Sequence, residues 1–520
     1  MSGFGERFRR FGYSLPKPLI EIDGKPMISH VIDMFPGEFN FLFICNEGPL
    51  NSPNYQMREV LRLYCPTGRI VRIPPHKLGP VHAVREISSL IDPRSPVLVN
   101  YCDFSCYWNW EHIKNFVVTP ECDGSIPAYK GFHPHSLGTT NYAYIRERDG
   151  WVLDIQEKKP FTDNRMKEYA SSGSYYYASG QIMSDVFSGM LDRGASVNGE
   201  YYVSLAYREL LEGGGRGVTV YPLQHFMQWG TPEDVAECRT WSEAFERLAS
   251  HSFKKQAPRG SVVVPMAGLG QRFHNEGYTD SKPLIQVSER PMVVQAVADL
   301  PRAQQYAFVM RQDKGGHEVV AQELRDTYHG AVIEVLSNVT DGQACTALAG
   351  LDALERELGS VAEPVRIGAC DNGALYYDGA LKMLIEAPEV DVIVWGVRGH
   401  ANAVRHPKMF GWIEADDQGR IERISVKTPV LSPSTTPIVI GTFTFKRAED
   451  FRMVVRRLIQ RNGRVNGEFY IDSCISEAIE MGLCCHLFEV DSFLSWGTPN
   501  DLRTFEYWQS CFHKWESHSY

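Results

Sequence analysis

The chain repeats itself. Residues 1–20 read MSGFGERFRRFGYSLPKPLI and residues 266–285 read MAGLGQRFHNEGYTDSKPLI, so Gly3 aligns with Gly268 at an offset of 265. Further along, Asp103 in NYCDF aligns with Asp371 in GACDN at an offset of 268, as does Gly199 in VNGEYYVS with Gly467 in VNGEFYIDS. Trp229 in QWGTPED meets Trp496 in SWGTPND at 267. An offset that drifts by so little over a domain's length means duplication, and each copy must then fold around its own core. The reading is two domains, 1–253 and 261–520, joined by the basic Pro/Gly linker KKQAPRG at 254–260.

The second copy opens with Ser261-Val262-Val263-Val264-Pro265, a buried-strand signal that runs into a glycine-rich loop and a helical stretch. Later apolar runs, Val392–Trp395 and Ile438–Ile440, alternate with helix-like segments such as Phe451–Gln460. That alternation predicts an α/β class: two tandem Rossmann-like three-layer domains, each a mostly parallel mixed sheet flanked by helices. Met1 maps onto Met266, beyond the Val run, so the first copy starts where the second has finished its first strand. Losing a central strand would strand N–H and C=O groups at about 1–3 kcal/mol each, against a domain stability of about 5–15 kcal/mol. The expectation is therefore a reading frame that starts upstream, with a substitute segment or a partly disordered first copy as the alternatives.

Charge and composition exclude several classes. A formal charge of -10 argues against nonspecific nucleic-acid binding. The 12 cysteines show no paired metal spacing, the first residues are not an apolar leader, and no apolar run reaches the roughly 18 residues of a membrane helix. These features predict a cytoplasmic protein with reduced thiols and neither a nucleic-acid nor a membrane partner; a homo-oligomer stays open.

The loop Gly268-x-Gly270-x-Arg272-Phe273 resembles a dinucleotide fingerprint, but Phe273 stands where the third glycine should be. Arg272, with Lys282-Pro283 ten residues on, suits a different chemistry, in which glycines let backbone N–H groups approach a triphosphate while Arg and Lys neutralise it. The first copy carries the same set as Gly3, Gly5, Arg7 and Lys17. This loop, followed by PKPLI or SKPLI, is similar to that of the sugar-phosphate nucleotidyltransferase (nucleoside-diphosphate-sugar pyrophosphorylase) family, once per half over nearly the whole chain.

The resemblance implies roles for further residues. Arg7, Lys17, Arg272 and Lys282 would hold NTP phosphates, and Asp103 and Asp371 would hold catalytic Mg²⁺. Where the family places a second metal ligand, two residues before Gly-Thr, this chain has Gln228 and Ser495, with Asp491 as a substitute in the second half. A family Glu-Lys pair that contacts the acceptor falls on Glu157-Lys158 and on Val426-Lys427, where the carboxylate is lost. Gly173 and Gly441 begin the acceptor-side strands, and Glu200 and Glu468 belong to the sugar-contacting loop. The base-binding segments differ, Gly79-Pro80-Val81-His82 against Gly342-Gln343-Ala344-Cys345-Thr346; Gln343 can present both a donor and an acceptor to a base.

The implied reaction is nucleotidyl transfer from an NTP to a phosphorylated acceptor with release of pyrophosphate, the two copies differing in specificity. One active half with a degenerate regulatory half is the first rival; a ligand-sensing scaffold is the second. Arg, Lys and Asp kept in both copies count against the scaffold, which has no need of clustered phosphate-binding charge. His133-Pro134-His135 and the pair His400/His406 lack the cysteine or carboxylate companions of a zinc site and read as loop histidines near the acceptor pocket.

Overall fold

The computed structural model describes residues 1–118, 121–250, 257–312, 316–430 and 432–517. Part of the segment read as a linker, 254–256, lies outside the described residues. By internal contacts the chain divides into two compact units, Met1–Glu243 with Ser510–Tyr520, and Ala244–Gln509. Both are mixed α/β structures with parallel and antiparallel strand pairs.

In the unit Ala244–Gln509 a nine-stranded sheet carries the core. Its path runs Val332–Leu336, Gln305–Arg311, Ser261–Pro265, Val365–Ile367, Ile438–Phe445, Val392–Val397 and Cys485–Glu489, with the hairpin Gly411–Ala415/Ile421–Val426 attached through Ile438. The first four strands are mutually parallel, and Ile438–Phe445 runs antiparallel to both of its neighbours on that path. Side chains alternate across a strand, so Ser261–Pro265 feeds two cores. Val263 packs with Ala347, Leu351 and Leu354 of the helix Gln343–Leu358, and Val262 and Val264 pack on the opposite face with Val293 and Val297 of the helix Met292–Ala298. A strand buried on both faces explains the uninterrupted Val run.

The unit containing Met1 has a seven-stranded sheet in the order Tyr169–Ser171, Ala143–Arg148, Trp151–Glu157, Val218–Leu223, Gly124–Tyr129, Ser174–Tyr177, Val97–Asn100. Leu42–Asn46 and Arg69–Ile73 pair in parallel as a separate two-stranded sheet. Their counterparts, Gln305–Arg311 and Val332–Leu336, are joined to the larger sheet by Ser261–Pro265. Among the described residues of the first unit no strand stands at that place, and the Asn46 N–H donates to Met1 O at 3.4 Å.

Each unit also has a short antiparallel pair apart from its main sheet, Phe104–Tyr107 with His225–Gln228 and Asn372–Leu375 with Ser492–Ser495. These pairs bring the segment after Asp103 or Asp371 beside the segment that ends in Trp-Gly-Thr. Among the described residues no helix is long and apolar enough to cross a membrane.

One buried charge stands out. Asp299 ends the helix Met292–Ala298, accepts from Gln295 Nε2 at 3.2 Å, and leaves Oδ2 without a hydrogen-bond partner. Burial pushes its carboxyl up to about 7. The folded protein then keeps a proton that the unfolded chain releases near pH 4. Stability from this group is complete below about pH 4 and is lost as pH rises toward 7, by an amount on the order of a few kcal/mol. Asp299→Asn is expected to match the wild type at pH 4 and to melt several degrees higher at pH 8, as read by thermal melts across that range.

Candidate functional site

The glycine loops lead into short helices, Glu6–Arg10 and Gln271–Asn275, and 3-10 turns follow at Lys17–Leu19 and Lys282–Leu284. Lys17 Nζ donates to Asp103 Oδ2 at 2.6 Å and to Gly230 O at 3.0 Å. Lys282 Nζ donates to Asp371 Oδ2 at 2.5 Å and to Gly497 O at 3.2 Å. Burial works against the Lys282 charge, but Asp371 beside it overcomes that penalty and raises the ammonium above its ordinary value. The Trp229 N–H closes on Asp103 O at 2.8 Å, and the Trp496 N–H closes on Asp371 O at 2.9 Å. Residues some 90 to 215 positions apart are thus held at one point, in the same way in each copy.

A metal here would need oxygen donors near each Asp. Ser495 pairs in the ladder with Asn372, the neighbour of Asp371. Ser495 Oγ and Asp371 Oδ2 face the same space, 3.9 and 3.3 Å from where a Cβ on Gly497 would lie. Gln228 commits its Nε2 to Asp234 Oδ2 at 2.8 Å, which leaves Oε1 as the atom it can offer. Asp491 is a correction. It lies four residues before Ser495, roughly 13 Å along extended chain, with its N–H on Leu375 O and its carboxylate on Arg247 at 2.7 Å. The strand Ser492–Ser495 carries it away from Asp371, so it cannot serve as the second ligand. Among the described residues no three His, Cys, Asp or Glu side chains gather as a metal cluster. One carboxylate with a neutral oxygen still suits Mg²⁺, which takes one or two carboxylates and fills its shell with water and substrate phosphate.

The segments around Gly79 and Gly342 dock backbone to backbone. Gly79 has φ 88 and starts the helix Pro80–Arg85; its Cβ would lie 2.7 Å from Tyr201 N. Gly342, φ 141, starts Gln343–Leu358, and its Cβ would lie 2.5 Å from Phe469 N. Both approaches are closed by paired bonds, Val81 N to Tyr201 O and Tyr201 N to Leu78 O, Ala344 N to Phe469 O and Phe469 N to Asp341 O. Only glycine fits, on conformational and on steric grounds. Exposed Gln343 stands at the start of its helix.

On the acceptor side, Lys158 (φ 56) and Lys427 (φ 54) share a left-handed backbone that is unusual for lysine. Lys158 Nζ donates to Tyr202 OH at 2.8 Å and lies over that ring, and Lys427 Nζ lies 5.6 Å from the centre of the Tyr470 ring. Tyr202 in turn donates to the Glu200 carboxylate, and Tyr470 hydrogen-bonds Glu468. Burial lowers the Lys427 ammonium, and the nearby Arg272 charge lowers it further, so Lys427 lies within the field of the glycine-loop arginine. In the first unit the Arg7 charge reaches Tyr202. Gly173 O accepts from Tyr101 N, and Gly441 lies beside Ala369 and Asn372, so both glycines border the Asp segment.

Tyr202 and Tyr470 are functional candidates that the motifs alone do not single out, although the aligned GEYY and GEFY runs carry the signal. Asp234 is another. Its carboxylate meets His135 Nδ1 at 2.8 Å and accepts from Gln228 and from the Thr231 N–H. Burial alone would raise Asp234, but these partners together hold it below the usual carboxylate range. His133 Nε2 bonds Phe226 O at 2.6 Å, and His400 is pushed down to about 4 by burial. His133 and His135 lie buried in the loop between the strands Gly124–Tyr129 and Ala143–Arg148, where His133 meets the strand that carries Gln228 and His135 meets Asp234.

Comparison with known proteins finds likenesses over part of the chain. Residues 1–198 match the family described as nucleotidyl transferase. The bifunctional protein GlmU of Burkholderia mallei (strain SAVP1) is 25% identical over 224 residues, which is 42% of this chain and 46% of that protein. GlmU of Burkholderia thailandensis is 26% identical over the same length. The chain thus spans about half the length of the curated relatives it matches. Among solved structures, a nucleoside-diphosphate-sugar pyrophosphorylase from Vibrio cholerae RC9 is 20% identical with a TM-score of 0.40, covering 47% of this chain and 98% of that one. An inositol-1-phosphate CTP transferase from T. maritima is 14% identical with a TM-score of 0.38, over 49% of this chain and 96% of that one. The likeness to the family described as nucleotidyl transferase is carried by residues 1–198.

Proposed function

We propose that this chain carries two tandem nucleotidyltransferase domains, 1–253 and 261–520, each transferring a nucleotidyl group from an NTP to a phosphorylated acceptor, most simply a sugar phosphate, and releasing pyrophosphate. The observation that carries the reading is the Lys–Asp pair closed by a glycine carbonyl, built identically from Lys17, Asp103 and Gly230 and from Lys282, Asp371 and Gly497. An acceptor phosphate oxygen is already anionic, so in-line attack on the α-phosphorus needs positioning and charge neutralisation more than a general base. Lys158 with Tyr202, or Lys427 with Tyr470, orients the acceptor phosphate. Arg7 and Lys17, or Arg272 and Lys282, draw charge toward the departing pyrophosphate. Asp103 with Gln228, or Asp371 with Ser495, would hold Mg²⁺, which would neutralise charge on the phosphate oxygens. The differing segments Gly79–His82 and Gly342–Thr346 support different nucleotides in the two sites. A cytoplasmic location goes with this reading.

The separate two-stranded sheet in the first unit favours a second reading, in which only Ala244–Gln509 performs the chemistry. Lys17→Ala and Lys282→Ala decide between the two. With two working sites each variant abolishes turnover of one acceptor and spares the other; a variant silent toward every product marks its unit as non-catalytic. The primary assay is pyrophosphate release from all common NTPs against a panel of sugar phosphates and phospho-alcohols. NTP binding without release from any pair would favour a scaffold.

Asp103→Asn and Asp371→Asn are expected to lower turnover by two or more orders of magnitude, about 3 kcal/mol of barrier, with melting temperatures lowered by only about a few degrees through loss of the partly exposed ion pair. Full activity with a large melting loss would make these aspartates structural caps.

A further inference from the structure

Val426 removes a carboxylate from the acceptor side of the second unit, yet the space around Lys427 is not left without one. In the first unit Glu157 pairs in the ladder with Ala143, and Ser204 Oγ donates to Glu157 Oε2 at 2.6 Å. The matching ladder pair in the second unit is Val426 with Gly411. The repeat places Asp472 where the first copy has Ser204. Three neighbouring positions have therefore changed together: Ala143, Glu157 and Ser204 against Gly411, Val426 and Asp472.

The geometry makes the exchange reciprocal. Asp472 lies in the first turn of the helix Ile471–Glu480, which packs on the hairpin carrying Val426 and Lys427. A Cβ on Gly411 would sit 2.3 Å from Asp472 Oδ2 and 3.1 Å from its Cγ. The carboxylate thus occupies the volume where alanine stands in the first copy, and it could not do so opposite Ala. Burial pushes the Asp472 carboxyl up to about 6, and the strongest charge opposing that rise is Lys427. Asp472 in turn counts among the charges that sustain the Lys427 ammonium, together with Glu468. A carboxylate that only favoured the helix terminus would need neither the glycine opposite nor the lysine beside it.

We propose that Asp472 is the acceptor-reading carboxylate of the second unit, supplied from a helix in place of the strand residue Glu157, and that with Lys427 it selects a phosphate monoester bearing a neighbouring hydroxyl. The proposal rests on the reading of Lys427 as the acceptor-phosphate residue. Moving the carboxylate from strand to helix changes where the acceptor hydroxyl must lie, so the two sites read differently shaped acceptors. Asp472 and Glu157 are specificity residues, and neither is required for the leaving of pyrophosphate.

The test uses the full chain with Lys158→Ala to silence the first acceptor site, and two probes, α-D-glucose 1-phosphate and inorganic phosphate, followed by ligand-detected NMR. Lys427→Ala should weaken both probes. Asp472→Asn should weaken glucose 1-phosphate by about tenfold or more, the loss of a hydrogen bond to a charged group, and leave inorganic phosphate unchanged. The triple exchange Gly411→Ala, Val426→Glu, Asp472→Ser rebuilds the first-copy arrangement and should restore glucose 1-phosphate binding, and it serves as the test should Asp472→Asn fail to fold. Equal loss of both probes, no loss of either, no binding of glucose 1-phosphate by the parent, or a folded triple exchange that binds phosphate alone would overturn the proposal. Pyrophosphate release measured in parallel separates the two levels. Asp472-dependent binding without release sinks the transfer reaction and leaves the inference standing. Release with an unchanged acceptor KM in Asp472→Asn sinks the inference alone.

Discussion

Everything in each unit is arranged around one ion pair. Lys17 with Asp103, and Lys282 with Asp371, are partly buried charges that face one another across almost ninety residues of chain, each lysine also bonded to the carbonyl of the Gly-Thr turn. Removing one partner from such a pair leaves an uncompensated charge, at a cost of about 3–5 kcal/mol for fully buried cases and less at the exposure found here. The pair therefore demands a scaffold that delivers both groups accurately. The antiparallel strands Phe104–Tyr107/His225–Gln228 and Asn372–Leu375/Ser492–Ser495 do so, aided by the tryptophan N–H that closes on each Asp carbonyl. Each lysine donates both to its carboxylate and to the carbonyl of the turn.

The second organising contact is the backbone docking of Gly79 on Tyr201 and Gly342 on Phe469. It fastens the segments around Gly79 and Gly342 to the VNGE loops by paired backbone hydrogen bonds. The tyrosine after that contact, Tyr202 or Tyr470, lies against the acceptor lysine. Duplication has kept this wiring while changing the side chains it presents. Gln228 is braced by Asp234 and His135, whereas Asp501, at the position matching Asp234, is bonded to Thr498 and Asn402. The copies have diverged in the shell behind the site more than at the Lys–Asp centre.

Much of this was legible without coordinates. Glycine loops, the following lysine and the strand-end Asp are local motifs whose residue types the chemistry restricts, and a second copy at a nearly constant offset separates them from chance. The Val262–Val264 run announced a strand buried on both faces. Less legible were features that depend on which side of a ladder a residue lands. Asp491 reads as a neighbour of Ser495 in sequence but sits at the other end of its strand, tied to Arg247. His133 and His135 read as loop histidines near the acceptor pocket; their burial against Phe226 and Asp234 is not visible in the sequence.

The sequence by itself determined the α/β class and the repeated set Arg7, Lys17 and Asp103 with Arg272, Lys282 and Asp371, because these follow from residue type and short spacing. Tertiary structure alone decided that the Asp472 carboxylate lies near Lys427. Counting along the chain, Val426 ends the search, and Asp472 is one more acidic residue at the start of a helix. Only the register of Gly411 with Val426, and the packing of the helix Ile471–Glu480 on that hairpin, put the Asp472 carboxylate in the space that Gly411 leaves open. Proximity across a fold is set by ladder register and packing, and neither is written in the spacing of residues.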